Sequence, residues 1–246
     1  MKKLFALLLA LAMMMSLVAC GENTDGTTTA PTNPTDPSNP TDPSNPTDPS
    51  NPTDPSNPEV KVPESALALL QQMWAKYPED AKYMINEETG EKVYIYVGGS
   101  FLLDEEGIPY YPGDNDAGAI DLTVEGALFP HFVAEEYYAN VEEAASLFSQ
   151  FNGNTFTSGA LKLKEGTDVA ALAKSVRDMI AGNFWMCGFP DRFIIASVGD
   201  YLVITYGHDG AGDENFKNET IVTPFMNAMS ELYPATEILY NELIGA

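Results

Sequence analysis

Cysteine and basic residues are both scarce in this 246-residue chain, and each scarcity excludes a class of protein. The two cysteines, Cys20 and Cys187, form no C-x-x-C pair and are too few for a disulfide framework. Twelve Lys and Arg residues stand against 36 Asp and Glu residues, which gives a formal net charge of −24 at pH 7. Because so acidic a chain repels phosphate backbones, we expect no nucleic-acid partner.

Long apolar runs are also lacking, except for one at the amino terminus. Lys2 and Lys3 precede an uncharged run, 4–18, whose length of about 15 residues is below the roughly 20 that a membrane-spanning helix needs. The run ends in L-V-A-C, residues 17–20, which resembles the lipobox of bacterial lipoproteins. The resemblance implies a signal peptide over 1–19, acylation of Cys20 (a palmitate-type anchor), and a mature protein held on the extracellular face of the cell membrane. The alternative is an ordinary signal peptide followed by a chance cysteine.

Apolar residues are almost absent from the segment that follows. The hexapeptide TDPSNP occurs four times in succession over 35–58, and residues 21–58 hold ten prolines but no Leu, Ile, Val or aromatic residue. Such a segment cannot bury a core, so 20–58 is predicted to be a lipidated, disordered, low-complexity linker. The composition is compatible with two roles, a spacer whose length is under selection and a low-complexity tail whose length is not. The folded domain is then 59–246, which keeps 10 basic and 30 acidic residues.

The first half of the domain predicts one helix and a few strands. Apolar residues at helical spacing favour a helix over 63–77, ended by Pro78. Residues 92–107 are rich in β-forming residues and are predicted to form a hairpin through Gly98-Gly99. Residues 105–121 are typical of a long loop, and 122–151 combine helical spacing with aromatic clusters, so either helix or strand remains open there.

The second half gives a clearer pattern, in the order strand, helix, strand, strand, helix. The segment 155–166 alternates as a strand, and Thr167 is predicted to cap a helix that stops at Gly182. Residues 192–207 favour a hairpin, and Thr223 opens a second helix. This order predicts an α+β domain, a mostly antiparallel sheet with helices packed on one face.

Cys187 lies in the stretch NFWMCGFPDRF, residues 183–193, which has some likeness to the active loop of thioredoxin-like proteins. A C-x-x-C loop needs a second cysteine three positions on, and here that position is Pro190. The neighbours Trp185 and Gly188 complete a short loop whose residues are mostly apolar. We therefore expect Cys187 to be a buried structural residue, with a reactive thiol as the alternative.

The acidic loops contain residue types that bind calcium in other proteins. In DNDAGAIDLTVE, Asp114, Asp116 and Glu125 occupy positions 1, 3 and 12 of an EF-hand-like loop. The glycine that the turn requires at position 6 is replaced by Ala119, and position 9 is Leu122. A second loop, 208–219, is acidic but has no glutamate in register. We expect no metal and no cofactor, with the three acidic residues as weak candidates.

Motifs for catalysis are missing. His131 and His208 are the two histidines, and either is a formal candidate for a general base, but neither G-x-S-x-G nor H-E-x-x-H occurs. The glycines after Gly207 match no phosphate-binding pattern. The sequence therefore assigns no catalytic residue.

Three segments together resemble a known group of proteins: NTFTSGALKL, DVAALAKSVRDMI and WMCGFPDRFIIASVGDYLVITYG. Over 122–207 the chain is similar to small bacterial lipoproteins that share a domain of unknown function, some of them labelled bacteriocin transport accessory protein. The resemblance implies a membrane-anchored, extracytoplasmic role and carries over no catalytic residue. We expect a non-enzymatic binding or accessory module with an envelope protein or peptide as partner. The alternative is a surface enzyme or a thiol-dependent transport accessory factor that uses Cys187.

Overall fold

The computed structural model describes residues 61–210 and 220–245. The predicted signal peptide, Cys20, the predicted linker and residues 211–219 of the second acidic loop lie outside the described residues. Within the described ranges, no helix combines the length and the apolar character needed to cross a membrane. The helices and strands are α1 (Ala66–Lys76), α2 (Val169–Gly182), α3 (Val222–Leu232), β1 (Tyr83–Ile85), β2 (Lys92–Tyr94), β3 (Tyr96–Gly98), β4 (Leu102–Leu103), β5 (Pro109–Tyr110), β6 (Gly113–Asp114), β7 (Gly118–Ala119), β8 (Val141–Ser149), β9 (Phe156–Leu163), β10 (Arg192–Val198), β11 (Tyr201–Gly207) and β12 (Glu237–Leu243).

Eight of these strands form one antiparallel sheet. Its order is β12-β10-β11-β9-β8-β3-β6, and β7 pairs with β8 beside β3. Two small two-stranded sheets, β1-β2 and β4-β5, lie outside it. The predicted α+β class and the mostly antiparallel sheet are confirmed.

The helices cover both faces of the sheet, so the prediction that they pack on one face is wrong. Helix α2 joins β9 to β10, and α3 joins β11 to β12; in each case another strand lies between the two that are joined. Both connections advance in the same direction across the sheet, but they leave from strands that run in opposite directions. Two crossovers of the same hand must then place their helices on opposite faces.

The first core lies between the sheet and the helices α1 and α3. Leu69, Leu70 and Met73 of α1 and Phe225 and Met229 of α3 are fully buried there. The predicted helix over 63–77 is confirmed at Ala66–Lys76. It begins at Ser65, whose hydroxyl accepts a hydrogen bond from the Ala68 N–H at 3.0 Å and so satisfies an amide of the first turn.

The second core lies on the opposite face, under α2. Leu172, Val176 and Ile180 are fully buried against the sheet, as their helical spacing predicts. The N-cap is Asp168, whose carboxylate accepts the Ala171 N–H at 3.0 Å, and not the predicted Thr167. The hairpin β10-β11, the strand β9 and the opening of α3 near Thr223 are confirmed.

The segment before β8 differs from its prediction. Gly98 and Gly99 do not turn a hairpin, because β3 pairs with β8 and β6 while β2 pairs with β1. Gly98 is needed for close approach: a Cβ there would lie 2.2 Å from the Ser146 carbonyl oxygen and 2.3 Å from the Gly118 amide nitrogen. The predicted loop 105–121 contains β5, β6 and β7, and the open region 122–151 contains two 3₁₀ helices followed by β8.

Candidate functional site: an aromatic cavity on the sheet

A cavity of about 700 Å³ opens on the face of the sheet that also carries α2. Its floor is a row of residues in register across three strands, with Tyr206 on β11, Thr157 on β9 and Phe148 on β8. In the next row β9 contributes Gly159, opposite Ser146 of β8. Phe148 and Tyr206 lie on strands two spacings apart, so their backbones are separated by about 10 Å, and the small residue Thr157 lies between them.

Two clusters of aromatic rings form the walls that rise from this floor. In the Phe148 cluster, Phe148 packs edge-on against Tyr111 at 4.9 Å between centroids, and Tyr111 packs against Phe101 at 5.7 Å. In the Tyr206 cluster, Phe132, Trp185 and Tyr206 pack against one another with centroids 5.4 to 5.6 Å apart. Edge-to-face packing holds aromatic rings firmly, so each wall is a preformed surface.

The 3₁₀ helix Phe129–His131 lies over the floor and closes one side of the cavity. The Tyr206 hydroxyl donates to the Pro130 carbonyl oxygen at 2.9 Å, which ties this helix to β11. Phe132, the next residue, adopts the left-handed conformation with φ 56°, which is strained for a bulky side chain. The packing of its ring in the Tyr206 cluster offsets this strain. The left-handed conformation itself turns the backbone at the cavity wall.

His131 lies against the sheet at Gly159. A Cβ on Gly159 would come within 2.4 Å of the His131 Nδ1 atom, so only glycine leaves room for the imidazole. The side chain is 2% exposed, and this burial lowers the pKa of His131 to about 4, because a charged imidazole would lose its hydration. The ring is therefore neutral at pH 7.

Two buried polar atoms beside the cavity lack a hydrogen-bond partner among the described residues. They are the His131 Nδ1 atom and the Trp185 Nε1 atom. Most buried polar atoms in folded proteins are paired, because an unpaired one costs about 1–3 kcal/mol. Unpaired polar groups around an apolar cavity are typical of a ligand site, where a ligand supplies the missing partner.

The mouth of the cavity is lined by exposed apolar side chains. Phe129 is 74% exposed, Phe151 64% and Phe101 56%. The loop 183–190 borders the mouth through Asn183 and Trp185, and the same loop carries three large exposed side chains outside the lining, Phe184, Met186 and Phe189. Exposed apolar groups gathered in one place indicate an interaction surface.

Cys187 lies in this loop and is exposed, so the prediction of a buried structural cysteine is wrong. Its apolar neighbours in sequence do not cover it: Phe184 and Met186 are 85% and 80% exposed. The loop is fixed through its backbone, because the Asn154 Nδ2 atom donates to the Cys187 carbonyl oxygen at 2.8 Å. The Cys187 thiol is therefore accessible to solvent in the folded protein.

The other residues of the predicted structural loop have separate roles. Trp185 is half-buried in the cavity wall, Gly188 has φ 70°, and Pro190 is buried. The His208 Nε2 atom lies 2.6 Å from the Gly188 carbonyl oxygen, so this buried histidine supports the loop from below. Trp185 and Asn183 line the cavity, whereas Cys187 and His208 do not.

The three candidate calcium ligands are not brought together. Glu125 lines the cavity, while Asp114 lies on β6 and the Asp116 carboxylate accepts its neighbour's N–H, that of Ala117, at 2.7 Å. In the described part of the chain no group of three or more His, Cys, Asp or Glu side chains is placed to hold a metal ion. The candidate loop 208–219 lies mostly outside the described residues.

The sequence singled out Trp185, His131 and Glu125 but did not indicate that they lie in one site. It gave no indication of Thr157, of Phe148 or of the other aromatic residues that line the cavity. A signal existed in β9, where the small residues Thr157 and Gly159 face the same side of a predicted strand. This signal does not predict the cavity by itself, because the cavity depends on which strands flank β9. The sequence of one strand does not show which strands pair with it.

No protein-family model, no curated protein and no solved structure matches this chain. The likeness to lipoproteins with a domain of unknown function therefore stays a prediction. Function is inferred instead from the cavity and its contacts.

Proposed function

We propose that this protein is a non-enzymatic binding module, held on the outer face of the cell membrane by a lipid on Cys20, and that its domain takes an apolar ligand into the aromatic cavity. The cavity carries the proposal. Its volume of about 700 Å³ falls within the range of small-molecule sites, and its walls combine aromatic rings with a few polar groups. The exposed rings at its mouth extend the apolar surface that a ligand can contact.

The anchor is proposed from the L-V-A-C motif at residues 17–20, which follows a short apolar run. A Cys20→Ser variant of the full chain, expressed in its own host, is expected to lose acyl labelling and to leave the membrane fraction. The measurement is cell fractionation with a radiolabelled fatty acid. A variant that keeps both its label and its membrane association would show that another feature anchors the protein.

Binding in the cavity is tested with N-phenyl-1-naphthylamine, a neutral apolar fluorophore that accepts energy from tryptophan. We expect saturable energy transfer to the probe in the full-length protein, because Trp185 lies in the cavity wall. Replacing both Phe129 and Phe151 with serine is expected to weaken binding by about tenfold or more, since each ring buries a large apolar area, and each such loss is worth on the order of 1 kcal/mol.

The matched control is Ile85→Ser, which removes an apolar side chain that is 54% exposed but lies on β1, away from the cavity. Binding to this variant is expected to be unchanged. Equal weakening by Ile85→Ser and by the two phenylalanine changes would mean that the probe binds the surface without using the cavity.

A thiol-dependent accessory factor is the second candidate, and the exposure of Cys187 favours it. Cys187→Ser separates the two candidates when probe binding and the cellular role of the variant are both measured. A binding module retains probe binding without this thiol, whereas a thiol-dependent factor loses its cellular role in a variant that still folds and binds the probe.

A further inference from the structure

We infer that the preferred occupant of the cavity is an organic cation with an apolar body, such as an aryl trimethylammonium group or an arginine side chain flanked by apolar residues. This inference rests on the proposed ligand-binding function and specifies the chemistry of the ligand. Three features of the cavity carry it: its rings, its charge and its width.

The rings are the first feature. Aromatic faces carry partial negative charge, and they attract cations that lie within about 6 Å of the ring centroid. The two clusters already described place rings on both sides of the floor, and Phe129 and Phe151 add two more at the mouth. Aliphatic side chains would serve an uncharged apolar ligand equally well, so a lining with this many rings favours a cation.

Charge is the second feature. Among the described residues that line the cavity, Glu125 has the only formal charge at neutral pH, and no Lys or Arg contributes to the lining. His131 is neutral there, because burial lowers its pKa to about 4. The domain around the cavity has 30 acidic and 10 basic residues, so its field attracts cations over a distance and repels anions.

Width is the third feature. The backbones at Phe148 and Tyr206 lie two strand spacings apart, about 10 Å, and Thr157 lies between them. A compact cationic group that sits over Thr157 therefore has the Phe148 cluster on one side and the Tyr206 cluster on the other. The exposed rings at the mouth then contact the apolar body that carries the cation.

The test compares two ligands of the same shape with the full-length protein. Benzyltrimethylammonium carries a positive charge, and neopentylbenzene replaces its nitrogen with carbon and is neutral. We expect the cation to bind about tenfold more tightly, by calorimetry and by the change in Trp185 fluorescence. Equal or weaker binding of the cation would overturn the inference and leave the proposed function intact, whereas failure of both ligands and of the neutral naphthylamine probe would overturn both.

Two variants separate the effect of the rings from that of cavity shape. Trp185→Leu and Phe151→Leu each keep an apolar side chain but remove a ring, and Phe151 is 64% exposed, so its replacement does not disturb the core. Each change is expected to reduce the preference for the cation severalfold, with a smaller change in affinity for neopentylbenzene. A preference that is unchanged in both variants would overturn the role assigned to the rings.

The source of the cation is distinguished by a peptide pair. Acetyl-Phe-Arg-Phe-amide is compared with the same peptide in which citrulline, a neutral isostere, replaces arginine. Tighter binding of the arginine peptide than of benzyltrimethylammonium would identify a peptide ligand, and the reverse would identify a small molecule. Binding of the citrulline peptide as tightly as the arginine peptide, together with no charge preference in the small pair, would overturn the inference.

Discussion

Replacing Asp209 with alanine is expected to lower the free energy of unfolding by about 3–5 kcal/mol, the range found when one partner of a buried ion pair is removed. The Asp209 side chain is 5% exposed, and its Oδ2 atom lies 2.6 Å from the Arg192 Nε atom. Without the carboxylate, the guanidinium of Arg192, whose side chain is 24% exposed, retains its contact with the Asn241 side chain but loses this anionic partner.

The same carboxylate also holds the start of α3. Its Oδ1 atom accepts the Thr223 N–H at 2.8 Å, and its Oδ2 atom accepts the Thr223 hydroxyl at 2.6 Å. A negative charge at a helix N-terminus is further stabilised by the helix dipole. Asp209 therefore joins β10, β11 and α3 at one end of the sheet, and alanine leaves both a cation without this partner and an uncapped helix.

Urea denaturation of the full-length protein, followed by circular dichroism, measures the loss. The control is Glu231→Ala, which breaks the exposed ion pair with Lys76 at 3.3 Å and is expected to cost less than about 1 kcal/mol. Asp209→Asn should fall between the two, because an amide retains the shape but loses the charge. An Asp209→Ala variant no less stable than Glu231→Ala would contradict the structural role assigned to this carboxylate.

Acidification from pH 7.5 to pH 5 is expected to remove about 2 kcal/mol of stability through His131 alone. The pKa of this histidine is about 4 in the folded protein, against an ordinary value of 6.5 for a solvated imidazole in the unfolded chain. Between these values the unfolded chain binds more protons than the folded one, so the free energy of unfolding rises with pH in that window. The contribution is fully present above pH 6.5 and is lost as the pH falls towards 4.

The measurement is the difference in unfolding free energy between the wild type and His131→Asn, at pH 7.5 and at pH 5. Because other groups titrate equally in both proteins, the difference isolates His131. It should change by about 2 kcal/mol over this range, with the wild type losing more. His131→Gln gives a second, longer side chain that does not titrate. Parallel pH profiles for the wild type and both variants would show that the imidazole is not buried as the structure places it.

Segments with strong local patterns were well predicted from the sequence. The apolar stripe of Leu172, Val176 and Ile180 specifies a helix whichever surface it packs against. The β10-β11 hairpin is determined by a short turn between two apolar strands. The N-cap was displaced by one residue, because Thr167 and Asp168 are both good caps and only the backbone geometry selects between them. The strand β12 was not predicted, since its pairing with β10 depends on a sheet edge that the local sequence does not show.

The candidate site was poorly predicted for a related reason. Cys187 was expected to be buried because its sequence neighbours are apolar, yet Met186 and Phe189 are exposed, and Trp185 packs in the cavity wall without covering the cysteine. Neighbours in sequence cover a residue only if the chain folds back over it. In this loop the Gly188 turn and the hydrogen bond from Asn154 fix the backbone in a conformation that leaves Cys187 exposed.

The sequence by itself determined the acidic charge of this protein, the lack of apolar residues in 21–58 apart from Ala30, the α+β class and the helices with apolar stripes, because each depends on composition or on spacing within one segment. Only the tertiary structure decided that helices cover both faces of the sheet, since this follows from the directions of strands that are distant in the chain. It also decided the cavity, whose floor forms because β9 places the small residue Thr157 between Phe148 and Tyr206. Such a site is a property of neighbouring strands, and it appears only once the strands are paired.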